Sequence, residues 1–422
     1  MNHDAFPPRS ELRAPFIPRF PRALRLSFLI QITIVIAASW AIVGASHAEP
    51  AARVEPIPTM RIVFSEIKHL LPLSMNEFNW SAPESREEVL ASLDRLEWAA
   101  SALEKHGRSR EAGFDELALS LSRDLREITG HYRNGDYEGA RFFLIGSLQN
   151  CVSCHIRLPY KSSFPLADEL LEQGEIQKMT PRDKAWLYVT VRRFEAALST
   201  WEGLMHDPAI SIAEIDAKGI LVDYLNVALR VRADVARPRR ELKLLAKRSD
   251  LPVYLESRVQ EWLSALDSLD PRKFGPDTPP SLEFGVELAK KAGQVSDGPF
   301  GRDGLVHDLA AASQLVRWLE QDRMRQEAVT RNSTAKERRD TAQAYYSLGV
   351  VEARSLDGFW VSLSERHLEA AVRSDPKGPI AERAYIRLEE KQMLGYGGAS
   401  GANMPADVWT NLRELRNLMT TE

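Results

Sequence analysis

Cysteine is nearly missing from this chain: its 422 residues hold two, Cys151 and Cys154. Standing three apart, they could join only in a strained small ring that would staple nothing, so a disulfide framework is excluded. An excess of positive charge is also lacking. The formal net charge is -4, which argues against a nucleic-acid partner, whose binders are normally basic. No strand-rich stretch stands out, and helical spacing runs through the chain, so the expected fold class is all-α. HExxH and GxSxG are absent, and the abundant carboxylates single out no pair, so nothing points to an enzyme.

What is present begins with the N-terminus. Residues 1–48 carry Arg9, Arg13, Arg19, Arg22 and Arg25 against Asp4 and Glu11. The apolar run Leu26–Ala45 follows, and Ser46-His47-Ala48 sets small residues at the positions a signal peptidase inspects. We expect 1–48 to be a signal peptide, with Glu49 opening the mature chain. The competing reading is an uncleaved anchor over 26–45, long enough to span a bilayer; only then would the protein contact a membrane. Either way the bulk of the chain is expected outside the cytoplasm, in the periplasm. Its length suggests two domains, and a hydrophobic fraction of 44% suffices for sizeable cores.

The two cysteines acquire a meaning from their neighbours: Cys151-Val152-Ser153-Cys154-His155 is a CxxCH motif, the only one in the chain. Such a motif attaches haem c through two thioether bonds, and its histidine binds the iron from the proximal side. The spacing suits a helix. Cys151 and His155, four apart, project from one face, with Cys154 beside them. A zinc half-site would need two more ligands of similar type, and no further cysteine exists. A thioredoxin-like redox pair would sit in a strand–helix context, which is not visible here. One covalent haem c is therefore expected, tethered by Cys151 and Cys154 and ligated by His155.

Between Pro58 and Pro159 apolar residues recur at three-and-four spacing. A first helix would carry Met60, Val63, Ile67 and Leu70, ending at Pro72. A second would carry Val89, Leu93, Leu96, Ala100 and Leu103, stopping at Gly107; a third would run from Phe114 through Ile128 to Tyr132. After the stop and cap Asn134-Gly135-Asp136, a fourth would carry Tyr137, Ala140, Leu144, Leu148, Cys151 and His155. Cysteine and ligand continue its apolar seam, so haem would enter the core of an up-down-up-down four-helix bundle.

The pattern resembles the cytochrome c-prime family and its methionine-ligated relatives, four-helix bundles with one CxxCH near the end of the last helix. The resemblance covers roughly residues 59–158. Members usually carry an aromatic–arginine pair soon after the histidine, where this chain has Ile156-Arg157-Leu158-Pro159, so no role passes to the arginine. In the methionine-ligated relatives the second ligand comes from the start of the first helix, where Met60 stands. The alternative is that Met60 only fills core space. His106 is a weaker candidate, and His69 and His131 fall at the opposite end. Without a sixth ligand the iron would be open to small gases, with Phe64 walling the site. Arg61, Arg108, Arg110 and Arg157 lie near the haem end, each singly read as a surface residue.

The expected organisation is a haem domain over 49–165, a helical-repeat region over 166–272, a Gly/Pro-rich linker or long loop over 273–304, and further repeats over 305–422. Tyr345–Pro376 resembles a degenerate tetratricopeptide repeat through Tyr345, Leu348, Gly349, Leu368, Ala371 and Pro376, with an insertion near Ser355–Trp360. Gly395–Gly401 reads as a flexible connection. Val408, Leu412, Leu415 and Met419 line a terminal capping helix. The basic cluster Arg237, Arg239, Arg240, Lys243, Lys247 and Arg248 is read as a solvated face, or as a dock for an acidic protein or anionic lipid. Together these features suggest one-electron transfer, with the repeats holding a protein redox partner. The alternatives are a gas-binding or gas-sensing haem protein, and an assembly scaffold with a mainly structural haem.

Overall fold

The computed structural model describes residues 56–107, 114–157, 166–295, 303–329, 333–354, 363–398, 401–402 and 404–420. The expected signal or anchor segment, Arg108, Arg110 and the expected insertion near Ser355–Trp360 lie outside them. The fold is all-α as expected, apart from one two-residue antiparallel pairing, Gly397–Gly398 (β1) with Gly401–Ala402 (β2), within the stretch read as a flexible connection. Among the described residues no helix is long and apolar enough to cross a membrane.

The first four long helices are α1 Pro56–Ser74, α3 Arg86–Gly107, α4 Phe114–Arg133 and α5 Tyr137–Arg157, with the short α2 Glu77–Ser81 after α1. Cross-helix pairs give their directions. Glu66 of α1 accepts from Arg95 of α3, while His69 reaches Glu88, so the two run antiparallel. Arg133 of α4 pairs with Asp94 of α3, and Asp124 of α4 accepts from Asn150 of α5 at 2.6 Å. Arg141, early in α5, donates to the carbonyl of Ser74 at the end of α1, which closes the ring of neighbours. The predicted seams form the core: Val63, Ile67, Leu70, Val89, Leu93, Leu96, Leu125, Ile128 and Leu144 are all buried.

Two local details differ from the sequence expectation. Pro72 does not stop α1, which continues to Ser74. The carbonyl that Pro72 deprives of its helical donor, that of Lys68, has the side-chain amide of Gln173 3.5 Å away, and the proline falls in the last turn, where little helix remains to be broken. The second is α2, capped by Asn76, which the spacing did not announce. It buries Trp80, whose Nε1 donates to the Tyr137 carbonyl while Tyr132 Oη donates back to the Trp80 carbonyl. This aromatic knot pins the end of the helices opposite Met60.

The chain continues through α6 Leu166–Leu171, α7 Gly174–Gln177, α8 Pro181–Thr190, α9 Phe194–His206, α10 Ile212–Ala217 and α11 Ile220–Leu225, which runs directly into a π-helix, Asn226–Val231. Next come α12 Ala236–Leu245, α13 Val253–Ser268, α14 Leu282–Val295, α15 Leu305–Val329, α16 Ala335–Arg354, α17 Ser364–Ser374, α18 Pro379–Gly395 and α19 Ala406–Thr420. The helix α14 falls inside the expected linker or long loop 273–304. Phe274 is buried, and α14 packs against α15. Gly275, Pro276, Pro279 and Pro280 fall in the turn before α14.

Within the stretch expected to be tetratricopeptide-like, α16 and α17 approach closely at Gly349. A β-carbon built there would stand 2.7 Å from Leu368 Cγ, and Ser364 Oγ donates to the Gly349 carbonyl at 2.7 Å. The terminal stripe packs as expected, with Leu412 and Leu415 buried.

The basic cluster has another use. Arg237 is largely buried and bonds Glu202, Glu195 and Ser199. Arg248 donates to the carbonyls of Met205, Asp207 and Ile210 and pairs with Asp250. Arg239 reaches the Leu266 carbonyl and Asp267. These arginines staple α12 and the turn after it to α9 and α13, while Arg240, Lys243 and Lys247 stay exposed. Burial pushes the Glu202 carboxyl up, but hydrogen bonds from Arg237 and Tyr224 outweigh it and hold the group below its ordinary value. The sign follows: a lowered folded pKa contributes stability that is present above the unfolded value of 4.5 and is lost as pH falls through the folded one. Glu202→Gln should therefore lower stability at pH 7 and flatten its fall below about pH 5, measured by urea unfolding across that range.

Candidate functional site

The CxxCH residues occupy the last two turns of α5, where the helix passes from one core to another. Upstream, Ala140 and Leu144 pack with α1, α3 and α4. Val152, between the two cysteines, is buried instead in the second core, among residues of α8, α9, α11 and the π-helix. The seam was expected to carry Cys151 and His155 into the four-helix core. The motif stands at the junction of the two, and α8 belongs to both: Leu187 and Val191 pack on the first core, Ala185 and Val189 on the second.

Cys151 and Cys154 are partly buried and no disulfide joins them. Burial pushes the Cys151 thiol up to about 11, so it rests protonated rather than as a reactive thiolate. The His155 ring is held from α8: Nδ1 lies 2.5 Å from the carbonyl oxygen of Thr190. A carbonyl can only accept, so Nδ1 carries the hydrogen. The neutral ring then presents the lone pair of Nε2 on its other edge. Burial, joined by the nearby Arg192 guanidinium and opposed by the Thr190 bond, lowers the imidazole to about 3. The ring is thus neutral at physiological pH, the form that binds metals.

A backbone carbonyl on Nδ1 is one of the partners that metal-bound histidines have, and it fixes the tautomer and the ring orientation. The donor set fits haem c: two thiols three residues apart without a disulfide, and a neutral imidazole oriented through the nitrogen that iron does not use. Among the described residues no cluster of three or more His, Cys, Asp or Glu side chains could hold a metal ion by itself. An open cavity of about 440 Å³ lies beside the second half of α1, lined by Ser65, Lys68, His69, Pro72, Leu73 and Gln173, and contains none of the motif.

The antiparallel pairing of α1 with α5 places Met60 and His155 at the same end of the helices. Met60 is partly buried and packs, with Phe64, Phe114 and Leu148, on the first core. Arg61 is exposed. The side chains of His106 and Arg157 lie outside the described residues. His69 and His131 are engaged far along the helices, with Glu88 and with Asp136. The Thr190 carbonyl was beyond the reach of sequence reasoning, since a main-chain acceptor carries no residue signature. No family model, curated protein or solved structure matches the chain.

Proposed function

We propose that the protein is a periplasmic mono-haem c-type cytochrome, with haem attached at Cys151 and Cys154 and ligated by His155. In this reading residues 49–165 are a haem-bearing four-helix bundle of the cytochrome c-prime kind. The helical hairpins beyond form a repeat solenoid that docks a protein redox partner. Haem bound here supplies a one-electron iron couple. The protein's own residues tether it, orient its proximal ligand and shield that ligand from water. The observation that carries the reading is the CxxCH on a helix end with His155 Nδ1 already engaged by a carbonyl. A neutral imidazole oriented beside two thiols that no disulfide joins is what haem c attachment needs, and a redox cysteine pair needs no such imidazole.

A thioether as sixth ligand favours electron transfer with a raised potential, and Met60 is the candidate at the right end of the helices. Met60→Ala in the haem-loaded protein should convert a sharp low-spin spectrum to a high-spin one and open the iron to carbon monoxide. A wild-type ferrous protein that already binds carbon monoxide would instead favour a five-coordinate gas-binding haem, with Met60 as a packing residue.

A further inference from the structure

The C-terminus of α8 ends in a turn whose hydrogen bonds leave one carbonyl pointing at the haem ligand. Arg193 N–H donates to the Tyr188 carbonyl at 2.7 Å, and Arg192 N–H donates to the Val189 carbonyl at 3.0 Å. These are the two crossed bonds of a Schellman motif. Its left-handed position is held by Arg192, at φ 61, where glycine is the usual choice because a β-carbon is strained there. The motif satisfies the carbonyls of Tyr188 and Val189 but not that of Thr190, the last helical residue before the turn. The last carbonyls of a helix need a partner. Thr190 finds it in His155 Nδ1, 35 residues back along the chain. The carbonyl is also firmly placed. Thr190 Oγ1 donates to the Trp186 carbonyl, and buried Val189 and Val191 on either side face different cores.

We propose that the turn Val191–Arg193 is a positioning device for the haem iron: it aims the Thr190 carbonyl at His155, so the repeat region supplies the outer hydrogen bond of the proximal ligand. A proximal imidazole that donates from Nδ1 is a stronger base toward iron and stabilises the ferric state, so this bond sets the midpoint potential lower than it would otherwise be. The strained backbone at Arg192 is retained because the turn has to close at that residue for the carbonyl to face the ligand. The inference rests on the haem reading above and adds to it that the electronic state of the iron depends on a segment outside the four helices.

The test uses the full-length, haem-loaded protein and two variants that both delete the guanidinium. Arg192→Gly accepts the positive φ and keeps the turn. Arg192→Pro cannot adopt it and also loses the N–H that bonds Val189. The expected result is a higher midpoint potential in the proline variant than in the glycine variant, with covalent haem retained in both. Equal potentials would overturn the proposal, because the turn would then have no influence on the iron. Should the proline variant fail to fold, nitrogen-15 NMR of the ferrous wild type and glycine variant, with carbon monoxide bound if the iron is five-coordinate, decides: a His155 Nδ1 proton that exchanges slowly with water in both supports the device, and one that exchanges freely overturns it. Failure of the haem reading itself would look different, since no covalent haem would be attached in any form of the protein.

Discussion

Replacing Cys151 and Cys154 together by alanine will abolish covalent haem while leaving the helices in place. The loss should be complete, since each thioether needs a sulfur and the described structure offers no substitute thiol. The fold should tolerate the change because neither sulfur closes a disulfide and both side chains are only partly buried. Helicity by circular dichroism should stay near the unreplaced apoprotein, whereas haem resistant to acid–organic extraction should vanish. Each single variant should keep one thioether at most, with an absorption maximum displaced toward a haem that retains one vinyl group. Haem that stays covalently bound in the double variant would mean that the attachment lies elsewhere.

The second large effect concerns the C-terminal region. Arg230, carried on the π-helix, pairs with Glu352 of α16 at 2.5 Å, and the two side chains are 4% and 3% exposed. Breaking such a pair leaves a charge buried without its counter-charge. Glu352→Gln or Arg230→Met alone should therefore destabilise the protein by about 3–5 kcal/mol. The double replacement Arg230→Met with Glu352→Leu removes both charges and should recover most of that loss, because the pair's own attraction roughly offsets its desolvation. Urea unfolding of the two single variants and the double variant measures this directly. A double variant as unstable as the sum of the singles would show that the arginine and glutamate serve other neighbours more than each other.

The helical architecture was legible wherever apolar residues kept one period. Val89, Leu93, Leu96, Ala100 and Leu103 repeat on one face and are all buried. Gly107 and Asn134-Gly135 fall where helices end, and Asp136 caps α5 through a bond from the Gly139 N–H. Pro72 misled because a proline in a last turn costs few bonds, which depends on what surrounds Lys68 and not on the proline itself. The stretch 273–304 misled for a related reason: turn residues before Leu282 and glycines after Val295 hid a helix between them.

The site was legible in part. The haem role proposed for Cys151, Cys154 and His155 comes from their identity and spacing alone. Their surroundings do not, because the period of α5 cannot reveal that Val152 turns toward a different core, nor which carbonyl meets His155. The arginine cluster of α12 shows the converse limit. Six basic residues in twelve positions read as a surface, yet Arg237, Arg239 and Arg248 are tied to partners on other elements.

The central claim is tested most directly by the visible spectrum of the full-length protein, produced where c-type haem is attached, recorded oxidised, reduced, and reduced with carbon monoxide, alongside the mass of the denatured chain. The account predicts one haem added covalently per chain and a sharp low-spin reduced spectrum indifferent to carbon monoxide. A chain that emerges from competent maturation without bound haem would contradict it.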